Sequence, residues 1–145
     1  MVGKGSYSHN QRSFVAKNVD GKRTVRNVVF KDEKIRKVYH ELFDEAQQRY
    51  NAKQKRKDRK IDNYYEKIRT SKQEKLYYEI IVPIGNKDDT NAKSVDGIIA
   101  KHTLEDYMKD FEKRNPNLRV FGAYLHMDEE TPHLHIYFVP FEQDN

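Results

Sequence analysis

Three histidines near the end of the chain, His126, His133 and His135, have the residue type and spacing best suited to chemistry. One residue separates His133 from His135, so both side chains lie on the same face of an extended strand. Facing residues on paired antiparallel strands have Cβ atoms about 4.5–5.5 Å apart, so a hairpin with His126 on its first strand brings three imidazoles together. Three such ligands leave coordination positions open, as in catalytic metal sites. The pattern predicts a divalent metal site, with exposed surface histidines beside a charged turn as the alternative.

The segment between these histidines carries the acids Asp128, Glu129 and Glu130. A carboxylate beside a metal-binding imidazole can hold the ring through its second nitrogen or move a proton during the reaction. Since the chain has no cysteine, a metal site must be built from histidine and carboxylate side chains. The residues alone leave the metal and the reaction open.

A second candidate for chemistry lies near the amino terminus, where a polar segment contains Tyr7 and His9. An imidazole or a phenol next to a metal-bound phosphodiester can attack phosphorus, because the cation stabilises the charge that develops. Taken alone, the segment is typical of a surface loop. It predicts a nucleophile only if the fold brings it to the histidines.

Length and composition favour one domain, residues 1–145. A chain of 145 residues fits the usual allotment of about 100–200 residues per domain. The hydrophobic content is low at 36%, but 10 Tyr and 7 Phe provide bulky side chains for a core. No window reaches the roughly 18–20 apolar residues of a membrane span, and the amino terminus has no apolar signal segment. We therefore expect a cytoplasmic protein that does not contact a membrane.

The histidines are predicted to lie on two neighbouring strands that each have one apolar face. Alternation places Phe121 and Leu125 on the apolar face of the first strand, and Val120 and His126 on the opposite face. The segment 133–141 repeats the pattern, with its histidines on the face opposite its apolar residues. Both strands thus direct histidine to the same side of the sheet.

Two further strands are expected. The segment 76–84 has apolar residues at alternate positions and ends at a Gly-Asn pair, and the segment 24–30 is rich in valine. Residues 87–97 are predicted to form a polar loop.

Helices are expected in three places. Apolar residues recur at steps of three and four from Asp32 to Tyr50, which predicts a long amphipathic helix. A weaker helical pattern covers 61–68, and a further helix is predicted to begin at a capping Thr103 and to end before Asn115. Together the elements predict an α+β fold, with three to five antiparallel strands against two or more helices.

The charge is distributed unevenly along the chain. Residues 1–70 contain 19 Lys and Arg against 9 Asp and Glu, whereas residues 71–145 contain 9 against 14. A basic half suits a polyanionic partner, because cations that neutralise phosphates release condensed counterions. The densest cations are Lys53, Lys55, Arg56, Lys57, Arg59 and Lys60. This stretch is predicted to extend the long helix or to form a solvated arm that contacts DNA phosphates, with a merely solvated surface as the alternative.

Three motifs together resemble the plasmid mobilisation and recombination relaxases of the Mob/Pre (MobV) type. The motifs are His9-Asn-x-Arg12, then Lys17-Asn18-Val-Asp20 with Arg23-Thr24 and Asn27, and finally His126-x-Asp-Glu-x-Thr-Pro-His-x-His135. The resemblance covers most of the chain, and the histidine motif is its most specific part. It implies an HUH-type endonuclease with an antiparallel, ferredoxin-like sheet and a divalent ion, manganese or magnesium, on three histidines. Such an enzyme cleaves one strand of single-stranded or hairpin plasmid DNA at an origin of transfer and stays attached to the 5′-phosphate.

Carried over position by position, the resemblance implies that the three histidines are ligands, that Glu129 is the motif acid and that His9 is the nucleophile, with Tyr7 as the second candidate. It further implies that Arg12 holds a phosphate or orients its segment, and that Arg23 and Asn27 contact the DNA backbone or support local structure. Relatives continue beyond the histidine motif, so we expect a domain truncated at its carboxyl end.

Two other functions remain compatible with the residues. A metal-assisted hydrolase would use a metal-bound water with Glu129 or Glu130 as the base, and would form no covalent protein–DNA species. An inactive DNA-binding module would bind through basic contacts and retain only the metal site.

Overall fold

The structure is a computed structural model and describes residues 2–3, 10–12, 26–86, 88 and 95–143. Within these ranges, one antiparallel sheet has the strand order β1-β3-β5-β4-β2. The strands are β1 (Val2–Gly3), β2 (Val28–Asp32), β3 (Tyr78–Pro83), β4 (Leu118–His126) and β5 (His133–Pro140). The predicted α+β fold is therefore confirmed, and the two-residue strand β1 forms one edge of the sheet.

Helices cover both faces of the sheet. They are α1 (Ile35–Lys53), α2 (Tyr64–Arg69), α3 (Val95–Lys109) and α4 (Phe111–Arg114), with a short 3-10 helix at Lys57–Arg59. The predicted long helix is confirmed as α1, and the basic stretch continues beyond its end. Among the described residues, no helix combines the length and the hydropathy that a membrane span requires.

The predicted start of the third helix is wrong. Thr103 lies inside α3, where its hydroxyl donates to the carbonyl of Ile99 at 3.1 Å, and does not cap the helix. The first turns of α3 escaped detection because Ile98 and Ile99 are both largely exposed. They therefore give no amphipathic pattern there. The end of the predicted loop 87–97 is thus helical from Val95 onward.

Two hydrophobic cores lie on opposite faces of the sheet. On one face, α3 and α4 pack against Ala123, Leu125, Leu134, Ile136 and Phe138. On the other face, α1 and α2 pack against Phe121, Tyr124, Tyr137 and Val139. Each fully buried large apolar side chain contributes about 1.5–3 kcal/mol relative to exposure. The two helical layers therefore clamp β4 and β5, the strands that carry the histidines.

A β-bulge at Phe121 changes the face of two residues. Val120 pairs with Phe138 and Gly122 pairs with Tyr137, so Phe121 is an extra residue in β4. As a result, Val120 packs with Leu125 and Phe121 joins the opposite core. The predicted faces of Val120 and Phe121 are wrong, because simple alternation assumes one-to-one pairing.

The other strands match the predictions in type but not in extent. β2 begins at Val28, and residues 24 and 25 of the predicted strand lie outside the described ranges. β3 begins at Tyr78 and not at Leu76. Alternation predicted one face for Leu76, Tyr78 and Ile80, but Leu76 packs in the core under α1, whereas Tyr78 and Ile80 pack in the core under α3. These differences leave the register of the central strands unaffected.

Candidate metal centre

The pairing of β4 with β5 brings the three histidines together. His126 faces His133, and Tyr124 faces His135, so the rings share one face at one end of the sheet. The ring centroids lie 4.8–5.2 Å apart. One ligand atom from each ring lies within 4.8 Å of the other two. The predicted convergence of the three imidazoles is therefore present, and Thr131 and Pro132 lie in the connecting turn.

Each ring is held through one nitrogen by an oxygen acceptor. His126 Nε2 lies 2.8 Å from the carbonyl oxygen of Asn10, and His133 Nδ1 lies 2.8 Å from the carbonyl oxygen of Thr131. His135 Nδ1 lies 3.1 Å from Glu79 Oε1. Carbonyl oxygens only accept, so His126 Nε2 and His133 Nδ1 carry protons. His135 Nδ1 lies 3.1 Å from the side-chain nitrogen of Asn10 as well, and the charged Glu79 carboxylate favours the proton on Nδ1. The opposite nitrogens then hold the lone pairs that a metal requires.

The residues fit a divalent cation on independent grounds. The Nε2 atom of His135 is buried and has no hydrogen-bond partner among the described residues. A buried polar atom of this kind is costly unless something binds it. His126 Nδ1, His133 Nε2 and His135 Nε2 are therefore the atoms that would hold the ion, and they suit manganese, zinc or similar metals that accept imidazole.

Burial keeps two of the rings in the metal-binding form. Burial lowers the pKa of His126 from 6.5 to about 3 and also lowers the pKa of His133 below its usual value. A neutral imidazole is the form that coordinates metal. His126 and His133 can therefore bind a cation at neutral pH without first losing a proton.

The pKa of His126 predicts a pH-dependent stability of the metal-free protein. Because the folded pKa is depressed, the unfolded state binds more protons between pH 6.5 and about pH 3. The contribution of His126 is therefore complete above pH 6.5 and is lost as the pH falls, by about 2 kcal/mol at pH 5. Urea unfolding in EDTA at pH 7 and pH 5 would measure this loss. His126→Leu should reduce it, and equal losses in both proteins would contradict the assignment.

A buried polar cluster holds His135 at its Nδ1 atom. Glu79 on β3 is 1% exposed, and Asn10 is 3% exposed. The side-chain amide of Asn10 donates to the Tyr137 hydroxyl and lies 3.4 Å from Glu79 Oε2. Because Asn10 also holds His126 through its carbonyl, a single residue ties the amino-terminal segment to two of the three imidazoles.

The sequence did not indicate that Glu79 and Asn10 hold the histidines, although Asn10 belongs to the motif His9-Asn-x-Arg12. Glu79 is a carboxylate inside the predicted strand 76–84, and alternation places its side chain on the face opposite to Tyr78 and Ile80. This position was the one feature of the sequence that could have indicated its role. Only the pairing of Glu79 with Tyr137 shows that this face points toward the histidines.

Glu79→Gln is expected to weaken binding of Mn²⁺ by about 10- to 100-fold, because partners that orient a metal-binding imidazole typically have this effect. The amide keeps the size of the side chain but removes the charge that polarises His135. Isothermal titration of the metal-free protein with Mn²⁺ would measure the change. Glu45→Gln, at an exposed position of α1, is the matched control. An affinity within twofold of the original protein would show that Glu79 does not support the ligand.

A second network ties the amino-terminal segment to the loop after β4. Arg12 donates from Nε and Nη2 to the two carboxylate oxygens of Asp128, at 2.8 and 2.6 Å, and from Nη2 to Glu129 at 2.8 Å. Asn27 donates to Asp128 at 2.9 Å and accepts from the backbone N–H of Met127 at 2.7 Å. Arg12 and Asn27 therefore position the loop that carries the motif acid.

Arg12 adopts a positive φ of 57°, a conformation that costs a non-glycine residue of the order of 1–3 kcal/mol. The bidentate pair with Asp128 is the compensating interaction, since Arg–carboxylate forks are among the strongest side-chain hydrogen bonds. This use of the guanidinium agrees with the predicted orienting role. Direct contacts of Arg12 and Asn27 with DNA stay predictions.

Glu129 is an ionised carboxylate beside the three histidines. Its Oε2 lies 3.5 Å from His133 Nε2. Burial alone would raise the pKa of Glu129, but His133 and Arg12 lower it below its usual value. At neutral pH the group can therefore accept a proton or interact with a cation, and it does not act as a ground-state acid.

The remaining predicted site residues fall into two groups. Tyr7, His9 and Arg23 lie outside the described residues. The basic residues from Lys53 to Lys60 are all exposed. Asn51 fastens this basic stretch to α1, because its side chain bonds both backbone groups of Ile61, at 2.7 and 2.8 Å. The stretch is thus a supported surface after the helix and not a continuation of it.

Comparison with known proteins identifies a family and a similar fold. A family model described as plasmid recombination enzyme matches residues 12–145. No curated protein matches the chain with significance. Crystal structures of the MobM relaxase domain (MOBV; Mob_Pre), Mn-bound and in complex with plasmid pMV158 oriT DNA, have a similar fold.

For one of these structures the TM-score is 0.57 with 23% identity, covering 95% of this chain and 64% of that chain. A second has a TM-score of 0.51 with 24% identity, covering 95% of this chain and 64% of that chain. The present chain thus spans less than two thirds of the length of the solved domains.

Proposed function

Because the chain belongs to the plasmid recombination enzyme family, Mob_Pre, we propose that residues 1–145 form the catalytic domain of a metal-dependent relaxase. In this proposal the protein nicks one strand of single-stranded or hairpin plasmid DNA at an origin of transfer and later rejoins it. The observation that carries the proposal is the convergence of three imidazoles, each held through its other nitrogen. We place this activity in the cytoplasm, where plasmid DNA is found.

Manganese or magnesium is the proposed cofactor, held by His126, His133 and His135. The similar solved relaxase domains are Mn-bound, and the imidazole ligands favour manganese over magnesium. When bound, a divalent cation stabilises the negative charge on the non-bridging oxygens of a phosphodiester. Neutral His126 and His133 provide ligand lone pairs at pH 7.

His9 is the proposed nucleophile. It precedes Asn10, which bonds to His126, and consecutive Cα atoms are only about 3.8 Å apart. In the reaction, a ring nitrogen of neutral His9 forms a bond to phosphorus while the bond from phosphorus to the 3′-oxygen breaks. The 3′-oxygen takes up a proton, and the 5′-phosphate stays on the histidine. The reverse attack by the 3′-hydroxyl rejoins the strand. Tyr7 is the second candidate.

Glu129 and Arg12 have supporting roles in this scheme. The Glu129 carboxylate is ionised beside His133, so it can orient the ligands or accept a proton near the reacting phosphate. Arg12 holds Glu129 and Asp128 and thereby links the segment of the nucleophile to the motif loop. We also propose that Arg12, Arg23 and Asn27 lie close enough to the DNA backbone to contact it.

The exposed basic stretch is proposed to track the DNA phosphates. Replacing Lys55, Lys57 and Lys60 together with glutamine should lower the salt slope of single-stranded DNA binding by about 2, since each phosphate contact contributes about 0.7. Fluorescence anisotropy at several salt concentrations would measure the slope. The matched control replaces Lys101, Lys109 and Lys113, which lie on the helices of the opposite face. Equal slopes in the two triple variants would refute the assignment.

A nicking assay tests the proposed function. An end-labelled single-stranded oligonucleotide from the transfer origin of the encoding plasmid is mixed with the protein and Mn²⁺. The relaxase predicts a covalent protein–DNA band on a denaturing gel and a free 3′-hydroxyl. Cleavage without a covalent band would indicate the metal-assisted hydrolase with Glu129 or Glu130 as base. Salt-dependent binding without cleavage would indicate an inactive DNA-binding module.

A further inference from the structure

A cavity of about 500 Å³ opens at the beginning of α1, on the face of the sheet that carries the three histidines. Its apolar wall is formed by Tyr65 of α2, Tyr77 just before β3, and Phe121 at the bulge of β4. Gln11, Asp32 and Arg36 contribute polar groups. The volume lies within the range of about 300–1,000 Å³ that is usual for small-molecule sites.

The cavity is connected to the metal centre through short contacts. Gln11, which lines it, lies between Asn10 and Arg12, the two residues that hold the histidines and the motif loop. The Gln11 amide donates to Asp32 at 2.8 Å, and the Tyr124 hydroxyl donates to the same oxygen at 2.7 Å. Since Phe121 and Tyr124 belong to the same core, the cavity and the histidines share one face of the sheet.

Tyr65 and Tyr77, which are half-buried, provide flat surfaces of the kind that nucleobases stack on, and the buried Phe121 supports Tyr77 from behind. Tyr77 and Phe121 meet edge to face, with centroids 5.6 Å apart. The Arg36 guanidinium lies over the Tyr65 ring, 4.6 Å from its centroid. Aromatic rings and stacked arginine side chains are the standard platform for an unstacked base.

The charges around the cavity are mixed, since Lys34 and Arg36 line it together with Asp32 and Glu33. The carboxylate of Asp32 lies on its rim and would repel a phosphate, but it can accept hydrogen bonds from the amino group of a base. Glu33 is already bonded to Arg119 at 2.8 Å. Arg36, which is 65% exposed at its side chain, remains at the outside, where a backbone phosphate would pass.

We propose that this cavity binds one unstacked nucleobase that carries an exocyclic amino group, from a nucleotide next to the phosphodiester at the metal centre. The position of that nucleotide rests on the proposed relaxase function, whereas recognition of the base itself does not. The cavity then fixes which phosphodiester reaches the metal, because a captured base sets the register of the strand.

Titration with mononucleotides, followed by NMR in EDTA, tests the base site without catalysis. The probes are dAMP, dCMP, dGMP and dTMP, and deoxyribose 5-phosphate serves as the probe without a base. We expect the three amino-bearing nucleotides to shift the amide signals of Gln11 and Tyr77. The sugar phosphate should not do so, and dTMP should bind more weakly.

Tyr65→Leu should raise the dissociation constant of the best nucleotide about 5- to 100-fold, the usual effect of losing one stacking partner. The matched control is Tyr107→Leu on α3, where Arg114 lies 4.7 Å over the ring in the same manner. Gln11→Ala is a second variant. The Gln11 side chain is exposed, so its loss does not threaten the fold.

Equal shifts with the sugar phosphate would overturn the proposal, as would equal affinities in the Tyr65 and Tyr107 variants. Absence of shifts at Gln11 and Tyr77 would also overturn it. These results are independent of the nicking assay, because no metal or nucleophile takes part. If the protein binds nucleotides here but forms no covalent adduct, the base site is supported and the relaxase function is refuted.

Discussion

Replacement of His9 by alanine is expected to remove the covalent protein–DNA adduct and to slow strand nicking by at least about a thousandfold, the scale seen when a nucleophile is lost. The reason is chemical: without the imidazole nitrogen no bond to phosphorus can form, although DNA binding and metal binding continue. The adduct formed with a labelled origin oligonucleotide and Mn²⁺ would be quantified on denaturing gels, with DNA affinity measured in parallel.

His102→Ala is the matched control, because His102 is exposed on α3 and 70% of its side chain is accessible. Its adduct yield should equal that of the original protein. If His9→Ala still forms the adduct and Tyr7→Phe does not, the nucleophile is Tyr7. If both variants form it, the amino-terminal segment does not supply the attacking group.

His135→Ala is expected to abolish binding of Mn²⁺ and to lower nicking by about a thousandfold or more. His135 is the proposed ligand with the most complete support: Glu79 holds one nitrogen, and the buried Nε2 has no hydrogen-bond partner in the part of the chain that the structure describes. Without it two imidazoles remain, and the cation that stabilises the phosphate charge is lost. Calorimetric titration with Mn²⁺ and the adduct assay would measure both effects.

Thermal unfolding provides a second readout for the same variant. A saturating ligand at 100 times its dissociation constant stabilises the folded state by about 2.7 kcal/mol, so Mn²⁺ should raise the melting temperature of the original protein but not that of His135→Ala. His40→Ala, on the exposed side of α1, should retain the full shift. A shift retained in His135→Ala would place the metal elsewhere.

The central part of the fold could be predicted from the sequence because it follows from local alternation. The parity of His126, His133 and His135 and the short connection between their strands determine both the hairpin and the shared face. The observed pairing of His126 with His133 confirms this. The long helix α1 was predictable for the same reason, since its apolar spacing is regular over five turns.

Features that depend on distant pairing were not predictable. Glu79 supports His135 only because β3 pairs with β5, and no local pattern specifies that neighbour. No pattern in the sequence predicts the bulge at Phe121 either. Gly122, next to the bulge, leaves room for two tyrosine rings, since a Cβ at this position would lie 3.1 Å from Tyr124 and 3.3 Å from Tyr137. The aromatic cavity also depends on the bulge, because the bulge turns Phe121 toward the cavity.

An anomalous difference map from crystals of the protein grown with Mn²⁺ tests the central claim most directly. We expect one strong peak at bonding distance, about 2.0–2.3 Å, from His126 Nδ1, His133 Nε2 and His135 Nε2. No peak at this position, or a peak at the exposed histidines of α1 and α3 instead, would contradict it.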